Sequence, residues 1–505
     1  MAFYVTTPIY YVNAAPHLGH AYTCIGADIL ARHYRQRGED VFFLTGTDEH
    51  GEPVVQVAER EGISPKELAD RNAQRFQALM PRINVSIDYF IRTSDPRHKQ
   101  RVQEVMQRIH DNGHVYKGLY EGWYCPKCAD FKTEAEIGPG NTCPIHQIPL
   151  DREKEENWFF RLSAFEEPLK ALYADRPEWV TPRTRYNEAL AFINGSLQDV
   201  SLSRAKISWG VEVPWDPAHV FYVWFDALLN YYTALSFARD GEDLTSRFWP
   251  AFHVIGKDIL KFHAVYWPAM LMAAGEALPQ KLFIHGYLTM KSDTGEDLKM
   301  SKSLGNVLDP FEVMDKFGTD ALRYYCFREV SFGQDGAVST AGFESRYETE
   351  LANDYGNLAS RTIAMIARYR DGATPDAEVD PALAPDFEGL DAEVVELLDR
   401  AEITQALERI WQRVRRLNRY VEEQAPWKLA KDPEQAAKLD SVLASLAEGL
   451  RVVTVLLHAY MPETTERLMG ALGQDGGFAI EAARFGAAGG GTVTTLDPPL
   501  FPKQP

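Results

Sequence analysis

The chain has 505 residues, of which 45% are apolar and 25% charged, and a formal net charge of −19. That length exceeds what a single hydrophobic core organises and implies roughly two to four domains, with no biased block long enough to stay unfolded. The acidic balance excludes indiscriminate adsorption to nucleic acid or anionic membrane, although a local basic face remains compatible with it.

The start, MAFYVTTPIYYV, lacks the basic stretch and small-residue cleavage site of a signal peptide. No apolar run reaches the roughly 18–20 residues that span a bilayer, so a cytoplasmic protein without membrane contact is expected. Residues 3–12 read as a strand. PHLGH (16–20) opens a helix that Gly38 is placed to end, and DVFFLTG (40–46) reads as a second strand. This is a βαβ unit and hence the beginning of a parallel sheet, which binds ligands outside the carboxyl ends of its strands; PHLGH and GTDEHG (46–51) both fall there.

Residues 116–160, rich in Gly, Pro, Cys and charge, mark an insertion. Strand-like runs resume at VFYVWFDAL (220–228), FHVIGKD (252–258) and KLFIHGYLTM (281–290) and complete the split sheet. From about residue 343 strands cease: Leu351, Tyr355, Leu358, Thr362, Met365 and Tyr369 recur at helical spacing, as do Leu407, Ile410, Val414, Leu417 and Val421. The expected organisation is therefore 1–115 and 211–342 as two halves of a Rossmann-like α/β domain, 116–210 as the insertion, and 343–505 as an α-helical domain.

Three groups of residues carry chemistry. In PHLGH, a helix N-terminus with a close-approaching glycine attracts phosphate, and neutral His17 and His20, on one face, would donate to its oxygens while Gly19 admits a nucleotide base. The same pattern also suits one histidine that caps the helix and another on the surface. LKMSKSLG (298–305) follows a Gly295-containing turn, which places Lys299 and Lys302 on a loop able to close over a triphosphate or simply to sit solvated. Neither a P-loop nor a dinucleotide fingerprint is present. Third, Cys125, Cys128, Cys143 and His146, in the pattern Cys-x2-Cys-x14-Cys-x2-His, have the spacing of a tetrahedral structural Zn2+ site with no open coordination position. In the helical region Arg409, Arg413, Arg415, Arg416 and Arg419 offer either cations to phosphate or a solvated face.

HLGH and KMSKS at this separation, around a split parallel sheet, resemble the two signatures of class I aminoacyl-tRNA synthetases. An insertion of about a hundred residues is too short for the editing domain that valyl, isoleucyl and leucyl members carry because one methylene is worth only about 1–3 kcal/mol of discrimination. A cysteinyl member would have a cysteine before the first motif, where this chain has none. TPIYYVNAAPHLGH, GTDEHG, FYVWFDAL, IGKDILKFHAVYWPAM and NLASR resemble the methionyl-tRNA synthetase family over nearly the whole chain, with Leu228 departing where some members carry proline.

The resemblance implies that L-methionine and ATP, with Mg2+, form methionyl-adenylate, and that the methionyl group passes to the terminal 2′-hydroxyl of initiator and elongator tRNA(Met). It implies ATP contacts at His17, Gly19, His20, Lys257, Asp258, Lys299, Ser301 and Lys302, with His17, His20, Lys299 and Lys302 catalytic. A methionine pocket follows at Ile9, Tyr11, Asp48, Trp224, Ala227, Tyr231, Ile259, Phe262 and His263. It further implies zinc in the insertion and anticodon reading by Asn357, Arg361 and Trp427 in the helical domain. Dimerising members often carry a further C-terminal domain and the chain stops soon after PPLFPKQP, so a monomer is expected. A related nucleotidyl transferase acting without RNA and a tRNA-binding module with a dead site are the rivals. RNA-dependent ester formation separates the first, and amino-acid-dependent pyrophosphate exchange the second.

Overall fold

The structure is a computed structural model that describes residues 2–126, 130–132, 136–145, 147–291, 297–298, 310–474, 477–487 and 490–503. Six parallel strands form its central sheet: β1 (Ala2–Tyr11), β2 (Asp40–Asp48), β3 (Tyr89–Arg92), β4 (Val180–Thr181), β5 (Phe252–Gly256) and β6 (Lys281–His285), in the order β3-β2-β1-β5-β6-β4. Helix α1 (Leu18–Gln36) carries the chain from β1 to β2. The chain builds outward from β1 first through β2 and β3 and later through β5 and β6. The order therefore reverses between β1 and β5, and a crevice opens at their carboxyl ends.

Both faces of the sheet are covered, which explains the unbroken apolar strands. Phe3, Val5, Phe43, Val254 and Phe283 point into one core with α1 and the helical region. Their neighbours Tyr4, Phe42, Leu44, Ile255, Leu282 and Ile284 point into a second core on the other face. The alternation is the period of two that a pleated strand imposes. Pro8 has no N–H to give, and between Thr6 and Ile9 β1 slips register against β2, so that Thr6 pairs with Leu44 but Ile9 with Gly46.

The run at 220–228 departs from the strand expected there. Its first two residues end a strand, Asp216–Phe221, of a small antiparallel sheet, and the rest is helix α2 (Val223–Thr233), which belongs to the second core. Every residue from Val223 to Tyr231 is buried, so the helix shows no polar stripe and its sequence reads like a buried strand. KLFIHGYLTM likewise divides: β6 stops at His285 and Leu288–Lys291 enters another sheet, pairing with Asp297–Leu298 and Gly336–Val338. Gly286 makes the break possible, because a Cβ there would lie 2.3 Å from the Gln334 carbonyl carbon.

In the insertion, Val115–Cys125 and Asp151–Phe160 pair antiparallel. Val180–Thr181, within the same stretch, returns to supply edge strand β4. Beyond Val338 no further strand occurs among the described residues. Helices α3 (Thr319–Glu329), α4 (Asn357–Arg370), α5 (Ile403–Gln424) and α6 (Ala436–Leu457) share the first core with α1. Among the described residues no helix is long and apolar enough to cross a membrane.

Candidate active site

At the carboxyl end of β1 the chain enters α1 through His17, whose extended backbone (φ −137°, ψ 177°) makes it the helix cap. His17 Nδ1 accepts from the Gly19 N–H at 3.1 Å, and His20 Nδ1 accepts from the His17 N–H at 3.1 Å. This is a reciprocal capping box with two imidazoles in place of serine and glutamate. The rings stack with centroids 3.8 Å apart. Because each Nδ1 is an acceptor, each neutral ring holds its proton on Nε2. Burial, followed by the adjacent His17 imidazole, holds His20 well below the ordinary histidine range, so it stays neutral. A Cβ on Gly19 would lie 3.0 Å from His17 Cε1; glycine here makes room for the folded-back ring. The first turn of α1 has no acidic residue, which leaves its positive end uncompensated.

Lys257 and Asp258 follow β5 across the crevice. Lys257 Nζ lies 2.6 Å from Asp335 Oδ2 and 4.4 Å from the centroid of the Tyr287 ring, so Asp335 already holds it. His285, at the end of β6, places Nδ1 2.9 Å from the Gly286 carbonyl and Nε2 2.9 Å from the Thr23 hydroxyl of α1, which donates to the Gly19 carbonyl at 3.1 Å. Burial pushes His285 down to about 4. Since β1 and β6 are parallel, the start of α1 and the base of the Leu288–Lys291 strand lie at the same edge of the sheet. Lys299, Ser301 and Lys302 lie outside the described residues, immediately beyond the strand Asp297–Leu298.

Beside this edge is a cluster of aromatic side chains. Trp224 on α2 stacks flat on Phe262, centroids 3.7 Å apart with 6° between planes, and Tyr11 meets Trp224 edge-on at 6.4 Å. Phe262 and His263 stand on a single wide helical turn, Phe262–Tyr266, a distortion common at functional sites. His263 Nδ1–H donates to the Ile259 carbonyl at 3.0 Å, which makes Nε2 the acceptor for the Tyr231 hydroxyl at 2.8 Å. Burial holds His263 near 4 and hence neutral. Ala227 lines the same helix and Ile9 ends the register slip of β1. Asp48, at the end of β2, is 3% exposed and its Oδ1 has no protein partner among the described residues. Burial and the nearby Asp226 carboxylate push Asp48 well above the ordinary aspartate range.

In the insertion Cys125 and Cys143 are fully buried in one small cluster with Leu150, flanked by Trp123, Ile137 and Ile148. Cys128 and His146 lie outside the described residues, and among those described no three His, Cys, Asp or Glu side chains gather as a metal site. In the helical region Asn357 is exposed at the start of α4. One turn on, the Arg361 guanidinium lies 5.7 Å from the Trp427 ring and 2.8 Å from Glu422.

The arginine run of α5 is not the free basic face that its composition suggests. Arg409 pairs with Glu393 at 2.7 Å, Arg415 with Glu350 at 3.2 Å and Arg416 with Asp386 at 2.7 Å, while Arg413 donates to the Asp386 carbonyl at 2.6 Å. Arg419 alone of the five is exposed without a carboxylate partner among the described residues. Sequence reasoning also passed over His50, Asp226 and His285; the signal for the last two is a titratable residue embedded in an apolar run, whereas His50 lies in the polar turn GTDEHG.

A family model described as tRNA synthetases class I (M) matches residues 3–153 and 145–363. A methionine–tRNA ligase of Caldanaerobacter subterraneus subsp. tengcongensis is 43% identical over 507 residues, covering 99% of this chain and 78% of that protein. One of Streptomyces coelicolor is 43% identical over 527 residues, covering 99% and 96% respectively. The structure of Mycobacterium tuberculosis methionyl-tRNA synthetase in complex with methionyl-adenylate is similar with a TM-score of 0.94 and 40% identity, over 99% of this chain and 100% of that one.

Proposed function

The chain belongs to the methionine–tRNA ligases among the class I tRNA synthetases, and on that premise we propose how its own residues divide the work. The enzyme activates methionine with ATP to methionyl-adenylate and charges tRNA with it. His17 and His20 present Nε2–H to the triphosphate at the positive end of α1, beside Gly19, while Lys257 and Asp258 bound the other side of the crevice. Lys299, Ser301 and Lys302 are assigned the remaining ATP contacts. Mg2+ bound with ATP would offset part of the triphosphate charge.

Methionine lies in the pocket of Ile9, Tyr11, Trp224, Ala227, Tyr231, Ile259, Phe262 and His263, where its polarisable sulfur gains roughly 0.3–1.5 kcal/mol per aromatic contact. The buried Asp48 carboxylate pairs with its ammonium. The methionine carboxylate attacks the α-phosphorus, pyrophosphate leaves, and the 2′-hydroxyl of the terminal adenosine then takes the acyl group. What carries the reading is that the paired imidazoles and the aromatic cluster share the carboxyl edge of β1. The decisive test is methionine-dependent pyrophosphate exchange by Lys302→Ala. A loss of about 10²–10³-fold is expected for removal of one transition-state donor, and unchanged exchange refutes that role.

For zinc, two buried thiols in an apolar cluster suit a softer metal with thiolate ligands, and Cys125, Cys128, Cys143 and His146 would hold it. It would supply folding energy to the insertion rather than chemistry. Asn357, Arg361 and Trp427 form the anticodon reader, since unpaired loop bases are recognised by stacking and by hydrogen bonds to their edges. Its partners are initiator and elongator tRNA(Met), in the cytoplasm.

A further inference from the structure

Behind Asp48 the pocket wall contains a polar cluster to which no part of the activation chemistry assigns a task. His50, two residues past Asp48, places Nδ1 2.7 Å from Oδ2 of Asp226 on α2. His50 is 1% exposed, Asp226 0% and Asp48 3%. Asp48 Oδ1, Asp226 Oδ1 and His50 Nε2 have no protein partner among the described residues. Such groups are rare in folded interiors, because an unpaired buried carboxylate is costly.

The surrounding elements do not supply the missing cation. Glu49 is already tied to Arg92, at 2.6 and 2.9 Å. His98, from the helix Pro96–Asp111, bonds Thr233 at 2.8 Å and burial holds it near 4, hence neutral. Tyr231 spends its proton on His263. Two carboxylates therefore face at most one imidazolium, an arrangement short of one small cation. Asp226 lies between Trp224 and Ala227 on the helix that forms the methionine pocket, so the deficit is located where the substrate amino group arrives.

We propose that His50 and Asp226 are positioning residues for the substrate ammonium: their buried ion pair, two residues past Asp48, leaves the Asp48 carboxyl without a protein cation, so that it takes up the ammonium and gives one proton to solvent. This rests on the reading that Asp48 meets the ammonium. The bond broken is the Asp48 O–H, its proton passes to buffer, and the resulting carboxylate pairs with the ammonium; no electron moves. The nearby Asp226 charge and the burial that raise Asp48 supply the reason the proton stays on in the free enzyme. The sign follows. A cation selects the ionised carboxyl, so methionine affinity weakens as pH falls through the raised Asp48 value, and neutralising Asp226 moves that weakening to lower pH.

The test is calorimetric titration of methionine alone into the full chain, in phosphate and in Tris across a range of pH. The wild type is expected to release protons on binding, more so as pH is lowered. Asp226→Asn is expected to release fewer and to shift the acid limb of the affinity profile down by about one pH unit. Asp48→Asn tests the underlying reading: unchanged methionine affinity overturns the role of Asp48 itself. If Asp48→Asn loses binding while the wild type releases no proton, or if Asp226→Asn reproduces the wild-type profile, the positioning role alone is overturned. Should Asp226→Asn fail to fold, the wild-type proton release decides.

Discussion

His17 and His20 each close half of the capping box through Nδ1, and the proposed ATP role falls to the Nε2 side of the same rings, so a residue that satisfies the cap need not satisfy the ligand. Asparagine at position 17 separates them. Its side-chain oxygen caps a helix as well as any residue, but its amide cannot extend to where the imidazole Nε2–H stands. His17→Asn is therefore expected to melt close to the wild type while pyrophosphate exchange drops by about 10²–10³-fold. His17→Ala should show the same loss of exchange and also give up about 1 kcal/mol of stability. Full exchange activity in the asparagine variant would reduce His17 to a cap. The neutral state of His20 belongs to the same design: a charged imidazole would need a proton on Nδ1, where the His17 N–H already points.

Among the helices, the end of α5 and the short turn after it shape the proposed anticodon reader. Ala425 takes a left-handed conformation (φ 44°) that stops α5, and Pro426 opens the next turn, Pro426–Leu429, with Trp427 second in it. The ring packs partly on the first core and partly faces Arg361 of α4, so a base could stack only on its open side. Trp427→Ala should weaken tRNA charging by about 1–3 kcal/mol, read as kcat/KM for tRNA. Methionine-dependent exchange without tRNA should hold; parallel losses in both would make Trp427 a packing residue only. Legibility in the sequence follows the same physics. β1, α1, β2, β5 and β6 could be read because parallel strands buried on both faces give continuous apolar runs ended by turn residues, and α4 and α5 because each has one apolar stripe. Helix α2 could not, being buried all round, nor could β3 and β4, which have four and two residues. The motif histidines were visible as local pattern, whereas His50 and Asp226 are separated by 176 positions and only the fold joins them. The same holds for the arginines of α5, whose partners Glu350, Asp386 and Glu393 come from other elements.

The sheet and the helical region form one body through a shared core, and a single buried guanidinium sits at their junction. Arg323 of α3 is 0% exposed and all five of its N–H groups are satisfied. Nε donates to the Tyr460 carbonyl at 2.9 Å, Nη1 to the carbonyls of Ile83 and Asn84 at 3.1 and 3.0 Å, and Nη2 to Asp28 Oδ2 and the Ala459 carbonyl at 2.7 and 2.9 Å. Asp28 belongs to α1, the helix that begins at His17, while Ala459 and Tyr460 follow α6; the geometry of the crevice proposed to take ATP is thereby tied to the helical region. Burial pushes the Asp28 carboxyl up, but Arg323, Arg32 and Ser86 together outweigh it and hold Asp28 below the ordinary aspartate range. A carboxyl so lowered contributes stability above its unfolded value and loses that contribution as pH falls towards the folded one. Arg323→Met keeps the volume yet removes one donor from each of four carbonyls and a carboxylate, of which Asn84 O and Asp28 retain Arg32, and should cost about 3–5 kcal/mol, the usual penalty for breaking a buried pair from one side. Arg323→Lys has three donors on a point charge in place of a planar fork and should recover less than half of that. The measurement is the urea concentration at which half the exchange activity is lost, alongside proteolysis across residues 459–460. An unchanged midpoint for Arg323→Met would mean that water satisfies the carbonyls and that apolar packing alone holds the two parts together.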